Sequence, residues 1–209
     1  MTPDHSQAAD DGDVQTALSL ARYLVTGAAG FCLASLCVFA TVAFAERWMY
    51  NTLGLAGAYI VWTLLFILLG GGVLSPLLVG RRPGWFYVLF SLAFLAYAIG
   101  WTGAYFTLRG AAGEWAGSFA GSVLMGLVFA VGFKTLPAAP SLCALLFVAN
   151  SIGYFSGSAL NDSVGGKTGM LLWGAAFGLA LGAGLGASLY IAQSRRANES
   201  VPEPRESDR

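Results

Sequence analysis

Residues 48–80 read WMYNTLGLAGAYIVWTLLFILLGGGVLSPLLVG, and this stretch decides the fold because it contains no Asp, Glu, Lys or Arg. Its centre, residues 64–69 (LLFILL), is apolar on every face, whereas a strand of a membrane barrel would alternate apolar and polar residues. Backbone groups in lipid must hydrogen-bond within their own segment, so such a stretch folds as a helix. The sequence therefore predicts a helical membrane protein.

The charged residues of the chain lie mainly at its two ends. Of 22 charges, five fall in residues 1–22 and eight in 195–209, which leaves nine for the 172 residues between them. Charged residues make up 11% of the chain and apolar residues 56%, against about 25% charged in an average soluble domain. These figures exclude soluble enzymes, disordered chains and disulfide-stapled secreted modules. The balance of eleven basic and eleven acidic residues gives no indication of a nucleic-acid partner.

The interior charges divide the chain into six uncharged stretches of at least 19 residues each, and about 20 helical residues cross a hydrocarbon core of roughly 30 Å. The predicted fold class is therefore all-α, a polytopic membrane protein with a bundle of six transmembrane helices. The predicted helices span 22–45, 54–79, 84–107, 114–134, 140–160 and 168–192. Residues 22–192 form the predicted transmembrane domain, and the polar segments 1–21 and 193–209 are predicted to be disordered cytoplasmic tails.

The distribution of basic residues predicts the orientation. Six helices place both termini on one side of the membrane, together with the loops at 80–83 and 134–140. That side collects eight basic residues, against three on the other side. Since basic residues favour the cytoplasmic side, both termini are predicted to be cytoplasmic and the chain to lie in the inner membrane.

Glycines recur at every fourth residue of the last predicted helix, where Gly174, Gly178, Gly182 and Gly186 form a stripe. Small residues let helix backbones approach closely in lipid. The stripe therefore predicts close helix packing, and two partners remain open. One is another helix of the same chain, which we favour, and the other is a second copy, which would give a homo-oligomer through the last helix.

Short matches between the two halves of the chain suggest an internal repeat. Residues 64–67 (LLFI) match 145–148 (LLFV), and two further pairs occur in the same order. Three helices per half would make this a 3+3 inverted repeat, an arrangement common among transporters. Chance matches are the alternative, since Leu, Phe, Ala and Gly fill most membrane helices.

A first candidate solute site is the triplet Gly70, Gly71 and Gly72, which precedes Ser75 and Pro76. Proline removes an amide donor, and glycines offer little resistance to unwinding. A broken helix here would expose backbone groups that bind an ion or small solute. A simple kink near the cytoplasmic end of the helix is the plainer interpretation.

A second candidate site lies in the fifth predicted helix, the most polar span. Asn150, Ser151 and Tyr154 share one side of that helix. In the absence of water these groups should face protein or a cavity. They could either bind a solute or join helices by hydrogen bonds.

A third candidate is an aromatic pocket. Trp101 and Tyr105 are one helical turn apart and are predicted to line one wall, and the second predicted helix contributes Tyr59, Trp62 and Thr63. Such a cavity would be aromatic and neutral, and would suit an uncharged or apolar ligand. Aromatic packing and interfacial anchoring are the alternatives.

Catalytic and metal-binding patterns are missing from the sequence. The only histidine is His5, and Cys32, Cys37 and Cys143 lack the paired spacing of a metal or redox motif. No carboxylate falls deep within a span. We therefore expect no metal, no cofactor and no enzymatic activity.

Two functions are consistent with these patterns. The first is a channel or facilitator-type transporter for a small neutral solute or ion, through the glycine triplet and Asn150. The second is a lipid- or hydrophobic-ligand-binding, sensor or scaffold protein without transport activity. Besides the lipid bilayer, the expected partner is a bound lipid or a small neutral solute. An aqueous path along Asn150 would favour the first function, and a lipid-open groove beside Trp101 and Tyr105 the second.

Overall fold

The computed structural model describes residues 5–78 and 82–199, with side chains for 20–78 and 82–195, and every element in them is helical. The α-helices are α1 (His5–Leu74), α2 (Pro83–Leu108), α3 (Gly110–Phe133), α4 (Ala139–Val164) and α5 (Gly166–Glu199). Two 3-10 turns, Ser75–Leu77 and Leu136–Ala138, follow α1 and precede α4. Five stretches, beginning with Leu20–Leu77, are long and apolar enough to cross a membrane. The fold is thus that of an all-helical, multi-pass membrane protein.

The first helix turns back on itself at Gly54. This residue has φ 69° and ψ 179°, a conformation open to glycine because it lacks a Cβ atom. The rings of Tyr50 and Trp62 then lie 5.9 Å apart, and those of Phe31 and Phe66 lie 5.7 Å apart. We call residues 20–53 the first arm of α1 and residues 55–74 the second arm.

The predicted count of six spans is therefore not confirmed, because the region of the first two predicted spans, 22–45 and 54–79, is one helix with a sharp turn. The second of these predicted spans also ends early, since α1 stops at Leu74 and a 3-10 turn containing Pro76 follows. The predicted spans 84–107, 140–160 and 168–192 lie within observed helices that extend beyond them, and the predicted span 114–134 corresponds to α3, which begins four residues earlier and ends one residue earlier, at Phe133. The 3+3 repeat is not confirmed either.

Three sharp turns lie at the same end of the bundle, which we call the turn end. They are centred on Gly54, Arg109 and Gly165, with ψ values of 179°, 167° and 173° and positive φ at each. Lys167 lies over the ring of Phe44 at 4.6 Å, which brings α5 and the first arm together at this end.

The glycine stripe of α5 packs against the first arm. A Cβ atom on Gly182 would collide with the carbonyl oxygen of Gly27, and one on Gly186 with that of Tyr23. Ser35 adds a buried hydrogen bond by donating from Oγ to the carbonyl oxygen of Gly174 at 2.7 Å. The stripe is therefore occupied within the chain, and a homo-oligomer would need a different surface of the last helix.

The glycine triplet is also a packing site rather than a break. The helix is regular through Gly70, Gly71 and Gly72 and continues to Leu74. A Cβ on Gly71 would lie 2.7 Å from the ring of Tyr87, and one on Gly70 would lie 2.8 Å from that of Phe31. Aromatic rings fill the space, so the unwound backbone that a solute site requires is not present.

The disorder predicted for residues 1–21 and 193–209 stays a prediction, although the structure continues α1 back to His5 and α5 on to Glu199. Residues 1–4 and 200–209 lie outside the described residues, as does the segment 79–81. Between these tails, the helices place the aromatic side chains of α1, α2, α4 and α5 around one interior space near the turn end.

Candidate functional site

A partly open cavity of about 240 Å³ lies between the helices in the half of the bundle nearest the turn end. Its wall is mainly aromatic, with four phenylalanines, three tryptophans and three tyrosines. The tryptophans and tyrosines are Trp62, Trp101, Trp173, Tyr59, Tyr97 and Tyr154. No charged side chain of the described residues lines it, so the cavity suits a neutral ligand.

The aromatic wall is built by ring-to-ring contacts between helices. Trp101 stacks on Tyr105 with centroids 5.1 Å apart and an angle of 16° between ring planes. Tyr154 contacts Trp101 at 5.6 Å and Trp173 at 5.5 Å, and so joins α2, α4 and α5. Such pairs add stabilisation beyond buried area. Tyr105 therefore supports the wall from behind, while Trp101 forms part of its surface.

The polar groups of the wall are the hydroxyls of its tyrosines and threonines and the indole N–H groups of its tryptophans. Tyr97 donates a hydrogen bond to Asn150 Oδ1 at 2.7 Å, and Tyr154 donates to Glu114 Oε1 at 3.4 Å. The indole Nε1 atoms of Trp62, Trp101 and Trp173 are buried, and none has a hydrogen-bond partner among the described residues. The unpaired groups of this class are all donors.

A second, larger space lies on the outer surface beside the cavity. It is a groove of about 660 Å³ between the second arm of α1 and α2. The groove is strongly apolar, with Ile60 and Ile99 60% and 63% exposed along its edges. In a bilayer, exposed side chains of this kind face lipid.

The groove and the cavity share one wall. Tyr59 and Thr63 from the second arm and Ala98 and Thr102 from α2 line both spaces. We call these four residues the shared wall. The second arm and α2 belong to the least extensively packed pair of consecutive helices, α1 and α2, so the shared wall lies in a loosely packed part of the bundle.

The polar side of α4 lies elsewhere, in a closed hydrogen-bond network. Asn150 is fully buried; besides accepting from Tyr97, it donates from Nδ2 to Ser118 Oγ at 2.8 Å. Ser118 and Ser151 are joined by their hydroxyls at 2.7 Å. The network links α2, α3 and α4. Of the three predicted solute residues of α4, only Tyr154 reaches the cavity, while Asn150 and Ser151 join helices.

The sequence did not indicate every residue of the site. Trp173, in α5, was not singled out, although a tryptophan six residues inside a predicted span is a signal, since tryptophans favour the membrane interface. The shared-wall residue Ala98 carries no signal of its own. Its role follows only from the position of α2 relative to the second arm.

Metal-binding clusters are not found in the described part of the chain, where no group of three or more His, Cys, Asp or Glu side chains comes together. Comparison of the chain with protein-family models, curated proteins and solved structures gave no match.

Proposed function

We propose that this chain is a membrane-embedded binding protein for a hydrophobic ligand, which enters from the bilayer between the second arm of α1 and α2. The observation that carries this proposal is the shared wall, because Tyr59, Thr63, Ala98 and Thr102 line both the lipid-facing groove and the interior cavity. In this proposal the ligand passes from the groove to the cavity when the second arm and α2 separate at the shared wall.

The chemistry of the two spaces supports a hydrophobic occupant. Both linings are largely apolar and neither includes a charged side chain among the described residues. An ion would lose its hydration there without gaining a counter-charge, which is strongly unfavourable. A hydrocarbon chain loses nothing by moving from lipid into such a space.

The channel or facilitator has less support. That function would depend on Asn150, in the middle of the bundle. Asn150 is fully buried, and both ends of its amide group are hydrogen-bonded, to Tyr97 and Ser118. A solute path along this side chain would have to break those bonds. It would also depend on Gly70–Gly72, and aromatic rings fill the space beside these glycines.

The proposal includes a topology. The two arms of α1 cross the membrane separately, which gives six crossings, and both termini face the cytoplasm of the cell because the basic residues are concentrated on that side. Periplasmic reporter fusions at residues 54 and 109 should be active, and fusions at 82 and 134 inactive. The protein binds its ligand without chemical conversion.

A hydrocarbon-binding experiment tests the proposed function. Radiolabelled hexadecane is equilibrated with the full chain in lipid nanodiscs, and binding is corrected with empty nanodiscs. Ala98→Phe places a ring in the shared wall and should weaken binding about tenfold, because overpacking of 1–3 kcal/mol must be overcome when the ligand enters.

The matched control is Ala144→Phe, the same substitution at an exposed position of α4 that lines neither space. It should bind hexadecane as the unaltered chain does. Absence of saturable binding to the unaltered chain, or equal loss in both variants, would contradict the proposed function.

A further inference from the structure

Six side chains with hydroxyl groups line the cavity or the groove, and they differ in their hydrogen bonding. Three of them donate to groups inside the protein: Tyr97 to Asn150, Tyr154 to Glu114, and Ser91 to the carbonyl oxygen of Tyr87 at 2.6 Å. The other three have no hydrogen-bond partner among the described residues, and they are Tyr59, Thr63 and Thr102. All three of these unpaired hydroxyls belong to the shared wall.

The unpaired hydroxyls of the shared wall can be reached by a ligand. Their side chains are only partly buried, and their oxygens are not among the fully buried polar atoms that lack a partner. They therefore keep accessible surface on side chains that line both the cavity and the groove. The unpaired indole nitrogens of the cavity differ in this respect, since packing encloses them completely.

The two threonines of the shared wall also leave their own helices unbonded. A serine or threonine inside a helix can bond the carbonyl oxygen of the preceding turn. Thr107 does so at Gly103, and Ser156 does so at Ile152. Thr63 and Thr102 make no such bond within the described part of the chain. Because a hydroxyl in apolar surroundings is unfavourable without a partner, a ligand that supplies one gains affinity.

The surroundings favour a neutral polar group on the ligand. Neither space is lined by a charged side chain from the described residues, so a charged group would lose its hydration without a counter-charge. Glu46 acts electrostatically on Tyr59 from outside the lining and would repel an anion. A hydroxyl is neutral, and it both donates and accepts, as the hydroxyls of the shared wall do.

The three hydroxyls face the same boundary from two helices. Tyr59 and Thr63 come from the second arm of α1 and Thr102 comes from α2, so a ligand group between them is held from both sides. Resting on the proposed function, we infer that the ligand is a neutral lipid with a hydroxyl group, which Tyr59, Thr63 and Thr102 bind by hydrogen bonds at the shared wall. The adjoining apolar groove of about 660 Å³ takes its hydrocarbon chain.

Four probes with the same chain length distinguish the polar groups: hexadecane, 1-hexadecanol, methyl palmitate and hexadecyltrimethylammonium. Each is equilibrated with the full chain in lipid nanodiscs, and binding is corrected for partition into empty nanodiscs. We expect 1-hexadecanol to bind about tenfold more tightly than hexadecane, a factor that one or two net hydrogen bonds account for. It should also bind more tightly than methyl palmitate, which can only accept, and than the ammonium probe.

Removal of the hydroxyls at nearly constant side-chain size assigns this preference to the shared wall. Tyr59→Phe, Thr63→Val and Thr102→Val should each lower the ratio of 1-hexadecanol to hexadecane affinity about two- to fivefold. The triple variant should bring that ratio close to one. Binding of hexadecane, which forms no hydrogen bond, is measured on each variant to show that it folds.

The matched control is Thr107→Val, the same substitution at a threonine that lines neither space. Thr107 is exposed and bonds only within its own helix, at Gly103. This variant should keep the preference of the unaltered chain for the alcohol.

The inference and the proposed function fail in different ways. Equal affinity for 1-hexadecanol and hexadecane overturns the inference and leaves the proposed function intact, as does a preference that survives in the triple variant. If methyl palmitate or the ammonium probe binds as tightly as 1-hexadecanol, the inference is overturned in favour of an acceptor group or a cation. No binding of any probe, hexadecane included, overturns the proposed function as well.

Discussion

The interface between the first arm of α1 and α5 and the groove between the second arm and α2 are both contacts between apolar helices, yet they are built differently. In the first, glycines bring main chain against main chain, as where Gly182 meets Gly27. In the second, side chains hold the helices apart around a groove of about 660 Å³.

The difference shows that a membrane bundle can combine close backbone packing on one side with looser side-chain packing on another. Because lipid tails are as apolar as the helices, association depends on packing and hydrogen bonds rather than on the hydrophobic effect. Close backbone packing on one side fixes the fold. The other side can then remain loosely packed without loss of the whole structure, and it is there that the groove and the cavity share a wall.

The largest expected difference between the two regions is the change in stability when a glycine of each is replaced by alanine. Gly182→Ala places a methyl group against the backbone of Gly27, which cannot move aside as a flexible side chain could. We expect the free energy of unfolding, measured by SDS titration in mixed micelles, to fall by about 3 kcal/mol.

Gly103→Ala is the matched change at the groove. A Cβ at this position meets nothing within 4 Å, and alanine favours helix by up to about 1 kcal/mol over glycine. The free energy of unfolding of the Gly103→Ala variant should be unchanged or slightly raised. A loss at Gly103 equal to that at Gly182 would contradict the contrast between the two regions.

The hydrogen-bond network around Asn150 joins helices, so its loss should lower stability rather than ligand affinity. Asn150→Leu leaves the Tyr97 hydroxyl without its acceptor and removes one of the two hydrogen bonds made by Ser118. Stability should fall by about 1–2 kcal/mol, while hexadecane affinity stays within about twofold. Ser156→Ala is the control, because Ser156 is exposed and bonds only its own helix at Ile152. A loss of ligand binding with unchanged stability would return Asn150 to the binding site.

The smallest effect is expected at the turn end. Arg109 has φ 56° and ψ 167°, a region occupied almost only by glycine and costly for other residues. Arg109→Gly should raise the free energy of unfolding by about 1 kcal/mol. Arg47→Gly, at an exposed position inside the helical first arm, should lower it by a similar amount. Destabilisation by Arg109→Gly would show that the side chain, rather than the backbone, matters at this turn.

Much of this fold follows from the positions of charged residues, since uncharged stretches in lipid have no alternative to the helix. The Gly54 turn coincides with the predicted start of the second span at residue 54. The partner of the glycine stripe could not be chosen from sequence, because Gly182 can pack equally on Gly27 of its own chain or on a second copy.

The candidate site was only partly predictable. Trp101 was predicted as a wall residue because it lies one helical turn from Tyr105, and Trp62 as an aromatic residue of the second predicted helix. Whether Asn150 binds solute or joins helices depends on the rotation of α4 relative to Ser118 and Tyr97, which a single sequence does not encode in any local pattern. The same holds for Ala98, whose importance comes from the helix opposite.

The most direct test of the central claim is the accessibility of Thr63, which lines both the cavity and the groove. A nitroxide label is placed at residue 63 in a chain whose three cysteines are alanine, and its collisions with oxygen and with a water-soluble nickel chelate are compared in lipid nanodiscs. The account predicts access by oxygen and exclusion of nickel, as for a label at the lipid-facing Ile60. Collision mainly with nickel would show a water-filled path, and access by neither reagent would show a closed interior; either result would contradict lateral opening to the bilayer.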